Sequence, residues 1–316
     1  MTVTLSRSAE SAYWIGRYLE RASSLIRSAR SVESLGSEIS GLDPDLPPRM
    51  WDDVGRIFAL SSGAIEMEGT PEERIVRFLF LRADVMSAAS SLHAARENAR
   101  AFMGAAGAAV FELLNETWHQ IESWSERPPV GLVALRSAME DLERRIFMIC
   151  GAMEHTAGRG DPWRFLQAGT MLERAFRTVR VLEVKLPKLN SSNEDQAPLL
   201  YARMRSILRM LAALDAYRRV AGARLDASRI ASFLVLAPQA PRGVLPCLAE
   251  VERCLESVER HGHATDPIRR VGMLVARLRF EAAESPADSI EAAGLSVLAE
   301  EIGRLNASIT DRFFRV

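Results

Sequence analysis

Apolar residues along this chain recur at spacings of three and four almost everywhere, and the strict alternation that marks strands is scarce. That periodicity predicts helices over about residues 9–36, 50–62, 71–81, 84–104, 108–124, 131–156, 162–185, 198–221, 226–235, 242–260, 267–281 and 287–313. The intervals between them are clusters of Pro, Gly and polar residues: GLDPDLPPR at 41–49, EGTPEE at 68–73, SERPPVG at 125–131, GRGDP at 158–162, LPKLNSSNEDQAP at 186–198, LAPQAPRG at 236–243 and HGHATDP at 261–267. None has the length and composition of a flexible linker between domains. The predicted fold class is therefore all-α, a single bundle-like domain of about 11–13 helices over residues 1–316.

Within this pattern one stretch occurs twice. GRYLERA at 16–22 and GTMLERA at 169–175 share five of seven letters. At this register Gly16, Leu19, Glu20, Arg21, Ala22 and Arg27 match Gly169, Leu172, Glu173, Arg174, Ala175 and Arg180. A fainter echo sets SLHAARENARA, near 91–101, beside ALDAYRRVAGA, near 213–223. Together they suggest an internal pseudo-repeat, with halves of about 5–125 and 160–316.

Helical geometry says what the repeated residues can reach. At ~100° per residue, Ile15, Leu19, Ala22, Ile26 and Ala29 form one apolar stripe, while Tyr13, Arg17, Glu20, Ser24 and Arg27 form a second, polar one. Helical side chains lean toward the N-terminus, so Glu20 lies over Gly16 and Glu173 over Gly169. A glycine inside a helix costs about 1 kcal/mol relative to alanine. Bearing it twice beneath a carboxylate predicts close approach of another backbone, a side chain or a ligand. Two readings follow: the glutamates face a shared interior or cleft that contacts a ligand, or they belong to a structural ion-pair network with the nearby arginines. In the second, arginines hold the carboxyls ionised, which suits an electrostatic anchor better than a general acid.

Composition narrows the classes. With 48 % hydrophobic and 26 % charged residues and a net charge of −1, the chain has an ordinary soluble composition and no general pull toward nucleic acid or anionic membrane. Of its 40 basic residues only Lys185 and Lys188 are lysines. Cys150, Cys247 and Cys254 are odd in number, lack a CxxC spacing and read as packed core thiols. The N-terminal sequence has no signal-peptide core, and no run reaches the ~18 apolar residues of a membrane span, so a cytoplasmic protein is expected.

Other chemistry finds little support. There is no GxxxxGK[ST] and no GxGxxG after a strand, so no nucleotide or other cofactor is assigned to this chain. Only Glu116 and His119 have the ExxH spacing, against the two such motifs of a carboxylate-bridged dimetal bundle, and no metal site is expected. His261 and His263 read as turn residues and His93 as a packing or hydrogen-bonding histidine. Arg96, Glu97 and Arg100 have spacings that allow pairing on one helix, as a solvated face or as part of a site. The Trp residues read as core or interface anchors, and the basic stretch PIRRVGMLVARLRF at 267–280 as an amphipathic helix rather than a nucleic-acid surface.

YWIGRYLERA, SSLHAARENARA, WRFLQAGTMLERA and AYRRVAGARLDASRIASFLVLAPQAPRGVLPCLAEVE together resemble successive blocks of the bacterial alpha-E family, a helical domain named for its Glu-Arg motif. The resemblance extends over about residues 5–315. It carries over Tyr13, Trp14, Arg17, Glu20, Arg21, Arg96, Glu97, Arg100, Trp163, Glu173, Arg174, Tyr217 and Arg218, to which the repeat adds Arg27 and Arg180 as binding candidates. Where the family has a segment like ADMTARLLDVK, this chain reads AFRTVRVLEVK, with Phe176 in the acidic position and Arg177 after it. Similar proteins are associated with circularly permuted ATP-grasp proteins and transglutaminase-like peptidases. The resemblance thus implies a non-catalytic accessory or substrate-handling partner of an amide or peptide ligase system, with the Glu-Arg face binding substrate or partner and the ATP chemistry belonging to the ligase. A helical enzyme with a Glu/Arg cleft for an anionic substrate and a purely structural scaffold are the alternatives. Oligomeric state is left open, a homo-oligomer included.

Overall fold

A computed structural model describes residues 3–39, 46–58, 69–106, 108–190, 197–259, 265–284, 290 and 292–315. Its described residues form thirteen helices and no strand: α1 (Val3–Ile39), α2 (Leu46–Phe58), α3 (Pro71–Phe80), α4 (Ala88–Ala106), α5 (Ala108–Glu126), α6 (Leu132–Thr156), α7 (Asp161–Asn190), α8 (Ala197–Met210), α9 (Leu214–Ala221), α10 (Ala227–Leu236), α11 (Val244–Val258), α12 (Asp266–Glu284) and α13 (Ala292–Phe313). The all-α expectation holds. His261 and His263, with parts of the predicted breaks near 41–49, 186–198 and 261–267, lie outside the described residues.

The two longest helices are the centre of the packing. α1 packs most extensively on α7 and also meets α4, α8, α2 and α6, while α7 is further covered by α11, α13 and α10. Both predicted stripes of α1 are inside: Ile15, Leu19, Ala22, Ile26 and Ala29 are buried, and so are Tyr13, Arg17, Glu20, Ser24 and Arg27. A helix covered on nearly all sides by others has no solvent face to keep polar, so its polar residues must be satisfied inside.

Local signals explain several boundaries. EGTPEE starts α3: Thr70 caps it, its side chain accepting from Glu73 N at 3.2 Å while Glu73 reaches back to Thr70 N at 2.8 Å, and Pro71 takes the first turn. The predicted helix 198–221 is two helices instead. Ala212 adopts a left-handed φ of 48°, with Ala213 N donating to Leu208 O at 2.8 Å and Ala212 N to Arg209 O at 3.0 Å, the paired bonds of a Schellman turn. No glycine marks that break, so the pattern runs through it. At the other extreme α7 continues past Pro187 to Asn190, beyond the predicted end at 185.

Candidate functional site

The glycines of the repeated motif mark where α1 and α7 touch. A Cβ on Gly16 would fall 2.3 Å from Leu166 O, and one on Gly169 would fall 2.2 Å from Tyr13 O. Each glycine therefore admits the backbone of the other helix, the first of the approaches expected above.

Just along this crossing, each glutamate is held by the arginine of the other motif. Arg21 Nε donates to Glu173 Oε1 at 2.8 Å. Arg174 donates to Glu20 Oε2 through Nε at 3.1 Å and Nη2 at 2.9 Å. The Glu-Arg pair thus acts across the interface rather than within one helix.

Each carboxylate then gathers a second layer of partners. Glu173, fully buried, accepts from Arg17 Nε at 2.8 Å and Nη2 at 2.5 Å, and from Arg177 Nε at 2.8 Å. Arg17 also bonds Asn306, whose Oδ1 accepts from Tyr13 OH at 2.7 Å, and Arg177 donates to the Ile57 carbonyl at 2.9 Å. Glu20 accepts from Ser24 Oγ at 3.2 Å, from Arg27 Nη2 at 3.3 Å and from Arg242.

The electrostatics follow from this count. Burial drives the Glu20 carboxyl up, but Arg242, Arg174 and Arg27 together outweigh it and hold it at about 2. Burial likewise opposes ionisation of Glu173, and Arg21, Arg177 and Arg17 hold it well below the usual carboxylate range. Burial and the neighbouring Arg242 lower Arg27 to about 9. Both glutamates are permanent anions near neutral pH, with their lone pairs filled by donors, so neither is placed to carry a proton. Three arginines contact each glutamate, which leaves each cluster two positive charges in excess.

The other candidates divide. Tyr13, Arg17 and Arg21 join Glu173, while Arg27 and Arg174 join Glu20. Arg180 does not: it pairs with Glu183 and donates to Arg56 O at 2.6 Å. Arg96, Glu97 and Arg100 pair among themselves on α4, with Arg96 reaching Asn115 of α5 at 2.7 Å, and make none of the seam contacts. Tyr217 is buried edge-on to Phe233, its ring lining an apolar groove, and Arg218 is exposed on α9. Of the shared interior or cleft expected from the sequence, the structure shows the interior: Glu20 and Glu173 are buried in the packed seam of α1 and α7, where they do not form an open Glu-Arg face.

Three partners of the seam lie outside the repeated motif. Arg177 stands one turn beyond Glu173, a spacing that could have identified it. Arg242 and Asn306 are distant in the chain and carried no local signal.

Remaining chemistry is modest. Cys247 and Cys254 are buried thiols that burial raises to about 12, whereas Cys150 is exposed on α6 rather than packed in the core. His93 packs on Trp118 with ring centroids 4.7 Å apart and has Arg82 3.0 Å from Nε2. Among the described residues no three His, Cys, Asp or Glu side chains converge as a metal set. On α12, Arg270 is matched by Asp266 at 2.6 Å and Arg277 by Glu301 at 2.6 Å. None of the described helices is long and apolar enough to cross a membrane.

A family model for Alpha-E, described as a predicted alpha-helical domain with a conserved ER motif, matches residues 4–314. No curated protein and no solved structure matches the chain. The chain belongs to the Alpha-E family, and the ER motif of that description stands here twice, at Glu20-Arg21 and Glu173-Arg174.

Proposed function

We propose, with Alpha-E membership as the premise, that this chain is a non-catalytic helical accessory of an ATP-grasp-type amide or peptide ligase system, handling substrate or partner while the ligase carries the ATP chemistry. A circularly permuted ATP-grasp protein and a transglutaminase-like peptidase are the partners in this reading. The observation that supports it is the saturation of both motif carboxylates: buried, ionised and filled by arginine donors, they brace α1 against α7 and are unsuited to acid-base work. The reciprocal exchange also supports treating residues 1–316 as one unit of two related halves.

The test is affinity purification of the tagged chain from its native cells, followed by reconstitution with whatever ligase is recovered. Recovery of an ATP-grasp protein whose ligation rate or product changes when this chain is added is the expected result. Absence of any such protein, or turnover by the purified chain alone, rejects the accessory role.

One observation favours a second reading, an arginine-rich edge for an anionic substrate. The seam carries two excess positive charges per motif, and Arg21 and Arg174, with side chains 16 % and 22 % exposed, reach solvent from it. In that case Arg21→Gln lowers affinity for the anionic substrate while the fold is retained.

A further inference from the structure

Far from the ER seam, a cavity of about 240 Å³ lies where α1, α2, α7 and α8 meet. Its α1 wall, at Leu35, stands fifteen residues beyond Glu20, or about 22 Å along the helix. Both lysines of the chain line it, together with Arg49 and Arg203, and Asp53 is the one acid among its described lining residues.

Cations predominate on the described wall. Lys185 Nζ lies 2.9 Å from Asp53 Oδ2, and Lys188 pairs with Oδ1 of the same buried carboxylate. Arg49 and Arg203 have no ion-pair partner among the described residues. Among the described lining residues four cations, Arg49, Lys185, Lys188 and Arg203, gather around the single carboxylate of Asp53. The rest of the wall is largely aliphatic, including Leu189 and Ile207, while Arg49 is exposed and Arg203 half-buried, so the cationic groups stand at the rim, where an anion arriving from solvent meets them.

These features specify a ligand class. An arginine without a carboxylate presents a planar fork suited to a phosphate or carboxylate group, and two such forks with a lysine pair behind them favour more than one negative charge. A cavity of about 240 Å³ is more than a single inorganic ion needs and leaves room for a short apolar body. We propose that this cavity binds a small oxyanion of at least two charges with a short aliphatic body, a phosphate monoester or a dicarboxylate. Arg49 and Arg203 grip the anionic group, and the Asp53-held lysines supply the field. The site is independent of the accessory role proposed above, and its test needs no partner protein.

Calorimetric titration of the full chain with inorganic phosphate, glycerol 3-phosphate and glutarate tests it directly. At least one probe is expected to bind one per chain with a Kd of about 1 mM or tighter. Preference between the phosphates and glutarate identifies the source of the anionic group. Arg49→Gln and Arg203→Gln each weaken binding about tenfold with an unchanged thermal melt, because neither residue has an ion-pair partner among the described residues. Arg144→Gln on α6, a surface control, leaves binding unaltered. Failure of all three probes to bind overturns the proposal, as does binding that survives both cavity substitutions or falls equally in the surface control.

Discussion

The two copies of the ER motif share letters but not surroundings. In both, the glutamate accepts from the arginine of the opposite copy, and a glycine one turn earlier lets the helices meet. Beyond that they diverge position by position. Arg17 reaches Glu173, whereas the residue at its equivalent position in the second copy is Thr170, which turns back to Leu166 O at 2.9 Å. Arg242, from the turn before α11, contacts Glu20 instead. One turn past each glutamate, Arg177 donates to Glu173 and the smaller Ser24 donates to Glu20, and Arg27 extends into the remaining space. The lesson is that the reciprocal pair and its glycine form the invariant device, while the number of arginines per glutamate is met from whichever element stands near.

The largest test of this comparison removes the carboxylates in turn. Glu173→Ala leaves Arg17, Arg21 and Arg177 around a fully buried gap and is expected to destabilise the chain by about 4–5 kcal/mol. Glu20→Ala is expected to cost less, about 3 kcal/mol, because Arg174, the most exposed of the six seam arginines, can turn toward water and Ser24 is left without a charged partner rather than as a bare charge. Urea unfolding of the two variants measures both, and equal losses would remove the asymmetry argued above.

Acid probes the same device without mutation. Glu20 is held at about 2 in the folded chain against an ordinary value of 4.5, so its contribution is complete above pH 4.5 and disappears as pH falls through 2. That shift corresponds to about 3 kcal/mol, and Glu173, lowered in the same direction, adds to it. Denaturant midpoints should therefore fall steadily between pH 4.5 and 2. The Glu20→Gln variant, compared with wild type, should show a shallower slope over that window.

The smallest effect separates the two arginines that occupy matching positions. Arg27→Ala removes a buried contact to Glu20 and should cost about 2 kcal/mol, whereas Arg180→Ala breaks a pair with Glu183 outside the seam and should cost below about 1 kcal/mol. Thermal melts of the two variants distinguish them.

Most of the fold was legible in the sequence because helical periodicity is a local property, recorded within a few turns. The close approach at Gly16 and Gly169 was legible too, since side-chain lean placed each glutamate over a glycine. What escaped depends on distance or on missing punctuation. Arg242 contacts Glu20 across 222 residues and Asn306 contacts Arg17 across 289, separations at which no spacing rule operates. The α8–α9 break uses Ala212 where a glycine would have announced it. Repeat alignment points to Arg180, but Arg177, at a position that departs from the family pattern, takes the place beside Glu173. The glutamate itself was readable; its full set of partners was a property of the tertiary arrangement.

The reciprocal exchange also sets a schedule for the chain as it is made. Glu20 waits for Arg174 across 154 residues, an interval of about 8–30 s at ordinary ribosomal rates. During that time α1 has its apolar stripe and its charged stripe but no α7 to receive either. Ser23, Ser24, Ser28 and Ser31, all buried in the finished molecule, run along the same helix as Glu20 and Arg27. In the nascent chain that seam is hydrated, so the feature that later locks the centre of the protein also makes its first helix tolerable to water until its partner arrives.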